Sequence, residues 1–248
     1  MDLSIIPVKT SKDEITQPHL ATENVIPRLG SSIIICGASG SGKSTLLFNL
    51  VVDKRFFGGN KYFKHIFLFS PTAECDDIQK QLDIPPACVC IDLDIAPLII
   101  DKIYKHQMNN IKKKGNDKAD QICIIMDDCI GNTQFMKHKA VIRSFIASRH
   151  FNCTTLICAQ HFKKIEKVNR LQASFLFFFP MSQASLEVLC DEYCPANMNR
   201  TQFFHMVIDS LSEKFSFLTI NMRVPDSERF RINLDRIINL EYYKQLQP

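Results

Sequence analysis

The chain of 248 residues contains no tryptophan and only five tyrosines, which weakens a mode of single-strand binding based on base stacking. It has no apolar run near the roughly 18 residues that a membrane span requires. The phenylalanine-rich run Phe175–Phe179 stops at Pro180. Residues Met1–Glu14 lack a basic segment followed by an apolar one. We therefore expect neither a secretory signal nor a membrane partner.

None of the ten cysteines forms a C-x-x-C pair. Cys190, Cys194 and His205 lack a fourth ligand with finger-like spacing, which disfavours a zinc site. A disulfide framework is not expected in a chain of this size without a secretory signal. Cysteines in short β-like runs are instead predicted to be buried thiols in a reduced, intracellular protein; these are Cys36, Cys123 and Cys158.

The composition is 46% hydrophobic and 23% charged, which is typical of a folded globular chain. Residues 1–30 are polar and contain three prolines, so we predict an extended N-terminal lead-in there. Residues 31–248 then form one domain, since a chain of this length can bury a sizeable core.

Apolar runs alternate with segments of helical spacing along that domain. The strongest strand signals are Ser31–Cys36, His65–Ser70, Ile122–Met126, Cys153–Cys158 and Ser174–Phe179, with Ala87–Ile91 as a weaker one. Helices are predicted at Lys43–Val52, Ile95–Lys113, Asn132–His150, Phe162–Gln172, Ser185–Cys194 and Thr201–Leu211. The end is predicted as strand Phe215–Asn221, turn Pro225–Asp226, strand Phe230–Leu234 and a helix. This order predicts a three-layer α/β fold with a mostly parallel sheet and a C-terminal β-hairpin plus helix.

Residues 37–45 read GASGSGKST and match the phosphate-loop pattern G-x-x-x-x-G-K-[ST]. An apolar strand precedes the loop and a helix follows it, as the motif requires. The glycine order excludes the dinucleotide motif G-x-G-x-x-G. We predict that the loop binds ATP, that Lys43 reaches the β and γ phosphates, and that Ser44 holds Mg²⁺. The predicted nucleotide contacts are Gly37, Ala38, Ser39, Gly40, Ser41, Gly42, Lys43, Ser44 and Thr45.

Two adjacent carboxylates follow the apolar strand Ile122–Met126. A phosphate loop needs a strand-end carboxylate for the magnesium shell, and Asp127 is predicted to supply it. Asp128 is then free to orient or deprotonate the attacking water. About 80 residues separate Lys43 from Asp127, which leaves room for a strand inserted between the two motifs. Gln160, after the strand Cys153–Cys158, is predicted to contact the γ-phosphate.

A basic stretch runs from Lys137 to Arg170 and holds eight basic residues and one acidic residue. Lys163, Lys167 and Arg170 have the spacing of one helical face, and such a charge excess favours DNA phosphates. A solvated helix face is the alternative interpretation. The stretch also contains candidates for an arginine finger acting on a neighbouring subunit; Arg149 is the first choice, with Arg143 and Arg170 as alternatives.

The segments GASGSGKST, IIMDD, SRHFNCTTLICAQHFKKI and NRLQASFLFFFP together resemble the genome-packaging ATPases of large DNA viruses. Poxviruses, iridoviruses, giant viruses and virophages carry such enzymes, within the wider group of FtsK- and HerA-like DNA-pumping motors. The resemblance covers roughly residues 25–220. It implies a P-loop NTPase fold of the RecA/ASCE type. It also implies hydrolysis roles for Lys43, Ser44, Asp127, Asp128 and Gln160, and a finger role for Arg149 or Arg170. Asp128 departs from the wider group, which often has glutamate there.

The function expected from this resemblance is ATP-driven translocation of double-stranded DNA into a capsid. The expected assembly is a ring, as a hexamer, with capsid or procapsid proteins as further partners. The expected location is the host cell interior, at a cytoplasmic or nuclear assembly site, with the virion as a second location. An ATP-switched assembly or scaffold protein that does not move DNA is the alternative. A small-molecule kinase is disfavoured, because no substrate motif is evident and the paired carboxylates suit water activation.

Overall fold

The computed structural model describes residues 18–58, 62–75, 78–116 and 118–245. The strands in this part of the chain are β1 (Ser32–Cys36), β2 (His65–Phe69), β3 (Val89–Cys90), β4 (Ile122–Asp127), β5 (Cys153–Ala159), β6 (Phe175–Phe178), β7 (Leu218–Asn221), β8 (Phe230–Ile232) and β9 (Arg236–Ile237). They form one sheet with the order β3-β2-β4-β5-β1-β6-β7-β8-β9.

The α-helices are α1 (His19–Thr22), α2 (Lys43–Val52), α3 (Ile78–Gln81), α4 (Ala96–Lys114), α5 (Thr133–Lys137), α6 (Lys139–Ile146), α7 (Lys167–Gln172), α8 (Gln183–Tyr193), α9 (Arg200–Ser210), α10 (Asp226–Arg229) and α11 (Leu240–Lys244). Short 3₁₀ helices lie at Pro86–Cys88, Cys129–Gly131, Ser148–Phe151 and Phe162–Lys164.

The sheet is parallel from β3 to β6 and antiparallel from β7 to β9. Its central strands β1, β4, β5 and β6 are buried at every position. A parallel sheet covered by helices on both faces has this continuous apolar pattern. The predicted three-layer α/β fold with a mostly parallel sheet is therefore confirmed.

Each face of the sheet has its own hydrophobic core. Alternate residues of β1 divide between the two cores, with Ile34 on one face and Ile33 and Ile35 on the other. Helices α4, α5, α6, α8 and α9 cover the first face, and α1 and α2 cover the second. The predicted thiols Cys36, Cys123 and Cys158 are all buried in these cores. None of the helices in the described ranges is both long and apolar enough to cross a bilayer.

The N-terminal lead-in differs from the prediction where it is described. Residues 1–17 lie outside the described residues, but residues 18–30 are not simply extended, because they contain α1. Ala21, Val25 and Ile26 are buried against the second core, and this apolar burial is what folds the segment back. The boundary between a lead-in at 1–30 and a domain at 31–248 stays a prediction.

Two predicted helices are interrupted. Asn132–His150 divides at His138, which is extended and caps α6 by accepting a hydrogen bond at Nδ1 from the Ala140 amide, 3.1 Å away. Phe162–Gln172 divides at Ile165 and Glu166, which have extended backbones. The side chain of Ile165 is buried, so packing overrides helical continuity there.

The C-terminal hairpin also differs in detail. Its first strand begins at Leu218 rather than Phe215, because Phe215 has a φ of +65° and lies outside the β region. The predicted turn at Pro225–Asp226 leads into α10, where Arg229 pairs with Asp226 at 2.6 Å. The two-residue strand β9 was not predicted, because both of its side chains are exposed and show no hydrophobic alternation.

Candidate functional site

The glycine-rich loop joins β1 to α2 at the carboxyl edge of the sheet, where the parallel strands end. Its first two amides are fixed by neighbouring strand ends: Gly37 donates to the Ala159 carbonyl at 3.1 Å and Ala38 to the Pro180 carbonyl at 2.8 Å. A Cβ on Gly37 would lie 2.5 Å from Cβ of Phe179, so only glycine fits there. Gly42 has a φ of +109°, which also favours glycine and turns the chain into α2.

Two groups of the loop suit phosphate oxygens. Lys43 Nζ donates to the Ala38 carbonyl at 2.8 Å, so the ammonium lies over the loop itself. Ser41 Oγ is buried and has no hydrogen-bond partner among the described residues. The helix N-terminus adds a positive end to the same place. Ala38, Ser39, Gly40, Ser44 and Thr45 are exposed and available to a ligand, so a triphosphate fits the loop.

The predicted carboxylates lie at the same edge of the sheet. Asp127 is the last residue of β4 and is buried opposite Cys158 of β5. Asp128 has a φ of +50°, a left-handed conformation that aspartate tolerates better than most residues. Its carboxylate accepts a hydrogen bond from Gln160 Nε2 at 3.4 Å. The predicted water-activating group and the predicted sensor are therefore in contact.

Electrostatics connects these carboxylates to the phosphate loop. Burial raises the pKa of the Cys158 thiol well above its ordinary value, Asp127 raises it further, and Lys43 lowers it. The same lysine lowers the pKa of the Cys36 thiol, which burial raises to about 12. One buried thiol thus lies in the fields of both Lys43 and Asp127, as expected for opposite sides of one phosphate site.

One strand separates the phosphate loop from the carboxylate pair in the sheet, but it does not come from the segment between the two motifs in the chain. The strand between β1 and β4 is β5, which follows Asp127 in the chain. The interval of about 80 residues instead builds β2, β3 and α4, which lie beyond β4. Chain order alone does not reveal such a crossover, because parallel strands need not be neighbours in sequence.

Arg170 is not placed to act on a neighbouring subunit. Its side chain is 9% exposed and its Nη2 lies 2.6 Å from Oε1 of Glu192 in α8. It also donates to the carbonyl of Ile165 and lies over the ring of Phe162. These contacts use its donors inside the fold, so the alternative finger role of Arg170 is wrong. The predicted basic face of Lys163, Lys167 and Arg170 is wrong for the same reason.

The other two arginines differ from each other. Arg143 pairs with Asp101 of α4 at 2.6 Å and lies over the ring of Tyr104. Arg149 is exposed in the 3₁₀ helix before β5, at the amino edge of the sheet. β5 is seven residues long, so Arg149 lies roughly 20 Å or more from Gln160 in its own chain. The structure therefore does not bring Arg149 into the phosphate site of the same chain.

Sequence reasoning missed two arginines that lie close to Arg149. Arg28 follows α1 and Arg223 follows β7. The positive charges of Arg28 and Arg149 both act on the guanidinium of Arg223. Partial burial lowers the pKa of Arg223, and the charges of Arg28 and Arg149 lower it further. Within the described ranges no carboxylate pairs with any of the three. No sequence signal joins them, since hydrogen bonds from Asn221 to Asn24 and from Ser148 to Gly30 bring distant segments together.

Three lysines of the basic stretch remain exposed beside the phosphate site. Lys163 and Lys164 lie in the 3₁₀ helix that begins two residues after Gln160, and Lys167 starts α7. Phe162 anchors this turn, because its amide donates to Ser185 Oγ at 3.1 Å and its ring packs edge-on against Phe178 at 4.8 Å. The positive charges of the three lysines therefore lie in a turn that begins two residues after Gln160.

In sequence, the chain is similar to a family of viral proteins. The sequence profile of the family described as "Poxvirus A32 protein" matches residues 29–237. A relative from Frog virus 3 (isolate Goorha), the "Uncharacterized protein 015R", is 27% identical over 154 residues. That alignment covers 60% of this chain and 44% of the relative, so the matched part is less than half of the viral protein.

Solved structures show the same fold at low sequence identity. B204, the DNA-packaging ATPase from Sulfolobus turreted icosahedral virus, has a TM-score of 0.59 and 13% identity over 85% of this chain and 99% of its own. The genome packaging NTPase B204 from Sulfolobus turreted icosahedral virus 2, in complex with ATP-gammaS, has a TM-score of 0.53 and 16% identity over 84% and 98%. The pCW3 conjugation coupling protein TcpA gives 0.53 and 12% over 78% and 58%. The fold is that of P-loop ATPases.

Proposed function

Because the chain belongs to the family of the poxvirus A32 protein, we propose that it is an ATP-hydrolysing motor that moves double-stranded DNA into a viral capsid. The observation that carries the proposal is the contact between Gln160 and Asp128 beside the phosphate loop. A polar residue at this point can respond to the terminal phosphate. Exposed lysines follow it in the chain. The proposed hydrolysis residues and the proposed DNA-facing surface are therefore adjacent in the chain.

Each residue of the phosphate site has a proposed role. Lys43 offsets charge on the β and γ phosphates, and Asp128 orients the attacking water and accepts its proton at a carboxylate oxygen. Ser44 and Asp127 would hold Mg²⁺, which when bound neutralises phosphate charge. Gln160 contacts Asp128, and its proposed role is to sense the terminal phosphate. The unpaired, buried Ser41 Oγ supports a ligand rich in oxygen acceptors at this loop.

We propose that DNA phosphates contact the turn formed by Lys163, Lys164 and Lys167. Phosphate contacts require positive charge and position but no base reading, which suits a motor that must accept any sequence. Only Phe162 and its neighbour lie between Gln160 and the first lysine. Gln160 and the lysines are thus close enough in the chain for a shift of Gln160 on phosphate release to move the whole turn.

We propose a ring in which Arg149 completes the site of the next subunit. Its position at the opposite edge of the sheet supports action in trans. A cleft of about 670 Å³ beside Asp128 is lined by Asp92 and Asp94 among others, and it offers an acidic surface to an arginine-bearing neighbour. Two different complementary surfaces on one chain give head-to-tail contacts, which close into a ring. Six subunits are the proposed number.

Capsid or procapsid proteins are the further proposed partners. The host cell interior and the virion are the proposed locations. The support is the family itself and the similarity of the fold to that of B204, a DNA-packaging ATPase. The alternative of an ATP-switched scaffold shares the nucleotide site but needs no DNA contact.

The test is the rate of ATP hydrolysis with and without duplex DNA. A motor hydrolyses ATP faster when DNA is present, and the stimulation falls as salt rises because the phosphate contacts are screened. A rate that DNA leaves unchanged at every salt concentration would favour the scaffold. Transfer of phosphate to a small acceptor instead of water would indicate a kinase.

A variant pair locates the DNA surface. Replacing Lys163, Lys164 and Lys167 by glutamine should bring the ratio of the two rates close to one. The matched control also replaces three lysines by glutamine, namely the exposed residues Lys105, Lys112 and Lys113 of α4, which runs toward the amino edge of the sheet. The control should keep the ratio of the wild-type protein. Equal loss in both variants would contradict the proposed location.

A further inference from the structure

Phe215 is a large aromatic residue in a place that neither packing nor backbone preference explains. Its side chain is 57% exposed, and its φ of +65° is an outlier for a bulky side chain. Hydrogen bonds of the two residues that follow Phe215 enforce this conformation. The Ser216 amide donates to the Glu213 carbonyl at 3.0 Å, and the Phe217 amide donates to Asn233 Oδ1 at 3.1 Å. Strain of this kind persists at sites where it positions a group for function.

The ring lies beside the phosphate loop. Its Cδ1 is 3.7 Å from the position that a Cβ on Gly42 would occupy, next to the start of α2. Lys214 Nζ lies 5.0 Å from the ring centroid and holds the side chain by a cation–π contact. The buried ring of Phe179 supports the same glycine from below, with Cε1 at 3.2 Å from that Cβ position. The loop is therefore bounded by one buried and one exposed aromatic ring.

The strand order fixes which end of a nucleotide would meet Phe215. Asp127, Asp128 and Gln160 lie on the β4 and β5 side of β1, and they define the end for the terminal phosphate. Phe215 precedes β7 and lies on the other side of β1, beyond β6. A nucleotide with its terminal phosphate near Asp128 would extend its base toward the β6 and β7 side.

The geometry points to Phe215 as a stacking platform for the purine base of the bound nucleotide. This inference rests on the proposed nucleotide site and adds a base-binding residue to it. Stacking on one ring tolerates different bases, so the platform should add affinity for ATP and GTP alike rather than select one of them. A group without a base gains nothing from it.

The experiment compares binding of ATP with binding of inorganic tripolyphosphate, which carries the phosphates but no base. Phe215→Gly removes the ring and suits a positive φ, so it leaves the fold intact. We expect its dissociation constant for ATP to rise roughly tenfold or more, as loss of base stacking does. Its dissociation constant for tripolyphosphate should stay within about twofold of the wild-type value.

Two further variants complete the test. Phe215→Tyr keeps a stacking ring and should retain wild-type ATP affinity. Tyr242→Ala removes a ring of similar exposure, 58%, from α11, which packs against α9, and should change neither constant. Unchanged ATP affinity in Phe215→Gly, or equal losses for both ligands, would overturn the inference. A wild-type protein that binds neither ligand would instead remove the proposed nucleotide site, and the inference with it.

Discussion

The two edges of the parallel sheet differ in how completely they are built. The carboxyl edge gathers the phosphate loop, Asp127, Asp128 and Gln160 within one chain. The amino edge presents Arg28, Arg149 and Arg223, whose charges have no carboxylate partner among the described residues and repel one another. The carboxyl edge thus holds the residues of the proposed hydrolysis site, whereas the amino edge is a positively charged surface.

This difference is informative about assembly. Arg143 and Arg170, the two arginines considered for the proposed transition state besides Arg149, are paired with carboxylates of their own chain. The arginines of the amino edge have no carboxylate partner in the part of the chain that the structure describes. Because the two edges lie at opposite ends of the sheet, a second copy can supply to each what it lacks. Variants at each edge alone, and then mixtures of the two kinds of subunit, test this division.

The largest effect is expected at the carboxyl edge from Lys43→Ala. Loss of the ammonium removes the mobile charge on the terminal phosphates, and turnover should fall by more than about a thousandfold. Hydrolysis rate and circular dichroism are measured together. A native spectrum with a near wild-type rate would contradict the assignment of the phosphate loop.

Arg149→Ala should lower the ATPase rate of assembled rings by about a thousandfold, the scale of a lost arginine finger. Mixing it with Asp128→Asn subunits should restore part of the activity, because some interfaces then join an intact Asp128 to an intact Arg149. A residue that acts within its own subunit cannot be rescued in this way.

The mixture must be co-refolded, since preformed rings need not exchange subunits. Arg143→Ala is the control, because Arg143 is bound to Asp101 on the surface of its own chain. Mixed rings that show no recovery would refute action of Arg149 in trans.

The residues of the carboxyl edge can be predicted from the sequence much better than those of the amino edge. The phosphate loop, β1, α2 and the pair Asp127–Asp128 follow from local patterns, because a strand buried on both faces and a glycine loop are short-range features. Gln160 also lies just after the end of its strand, as predicted. Its contact with Asp128 does not follow from the sequence, because the two residues are 32 positions apart.

The amino edge and the surroundings of Arg170 could not be predicted, because their partners are distant in the chain. Spacing placed Arg170 on a basic face, whereas Glu192 of the later helix α8 pairs with it inside the fold. Arg28 and Arg223 come near Arg149 only through tertiary packing, in which Asn221 of β7 donates to the Asn24 carbonyl and Ser148 donates to the Gly30 carbonyl. Phe215 fits a β-strand by composition, and only its backbone reveals that it does not belong to one.

A comparison within the carboxyl edge gives a smaller effect. Asp128→Asn should bind ATP normally and hydrolyse it about a hundredfold more slowly, because the amide cannot accept the proton of water. Asp127→Asn should in addition lose the magnesium dependence of ATP affinity. Titration of ATP with and without Mg²⁺ separates the two. Asp101→Asn, a surface carboxylate of α4, is the control, and equal changes in affinity for both variants would mean that the roles are divided wrongly.

The smallest effect is expected from the arginines around Arg149. Arg28→Ala and Arg223→Ala each remove one charge from a cluster that is unfavourable in the free chain, so the free subunit should melt slightly higher. The same changes remove an attraction to the acidic cleft of the neighbour, so assembly should weaken by roughly two- to fivefold at low salt and less at high salt. Sedimentation measures the assembly, and thermal melting measures the stability of the free subunit.

Arg200→Ala, which breaks an exposed pair with Asp191 at 2.7 Å, is the control. It should leave assembly unchanged and should not raise the melting temperature. Opposite signs for stability and assembly separate a docking surface from a structural one, since an arginine that merely supports the fold would lower both.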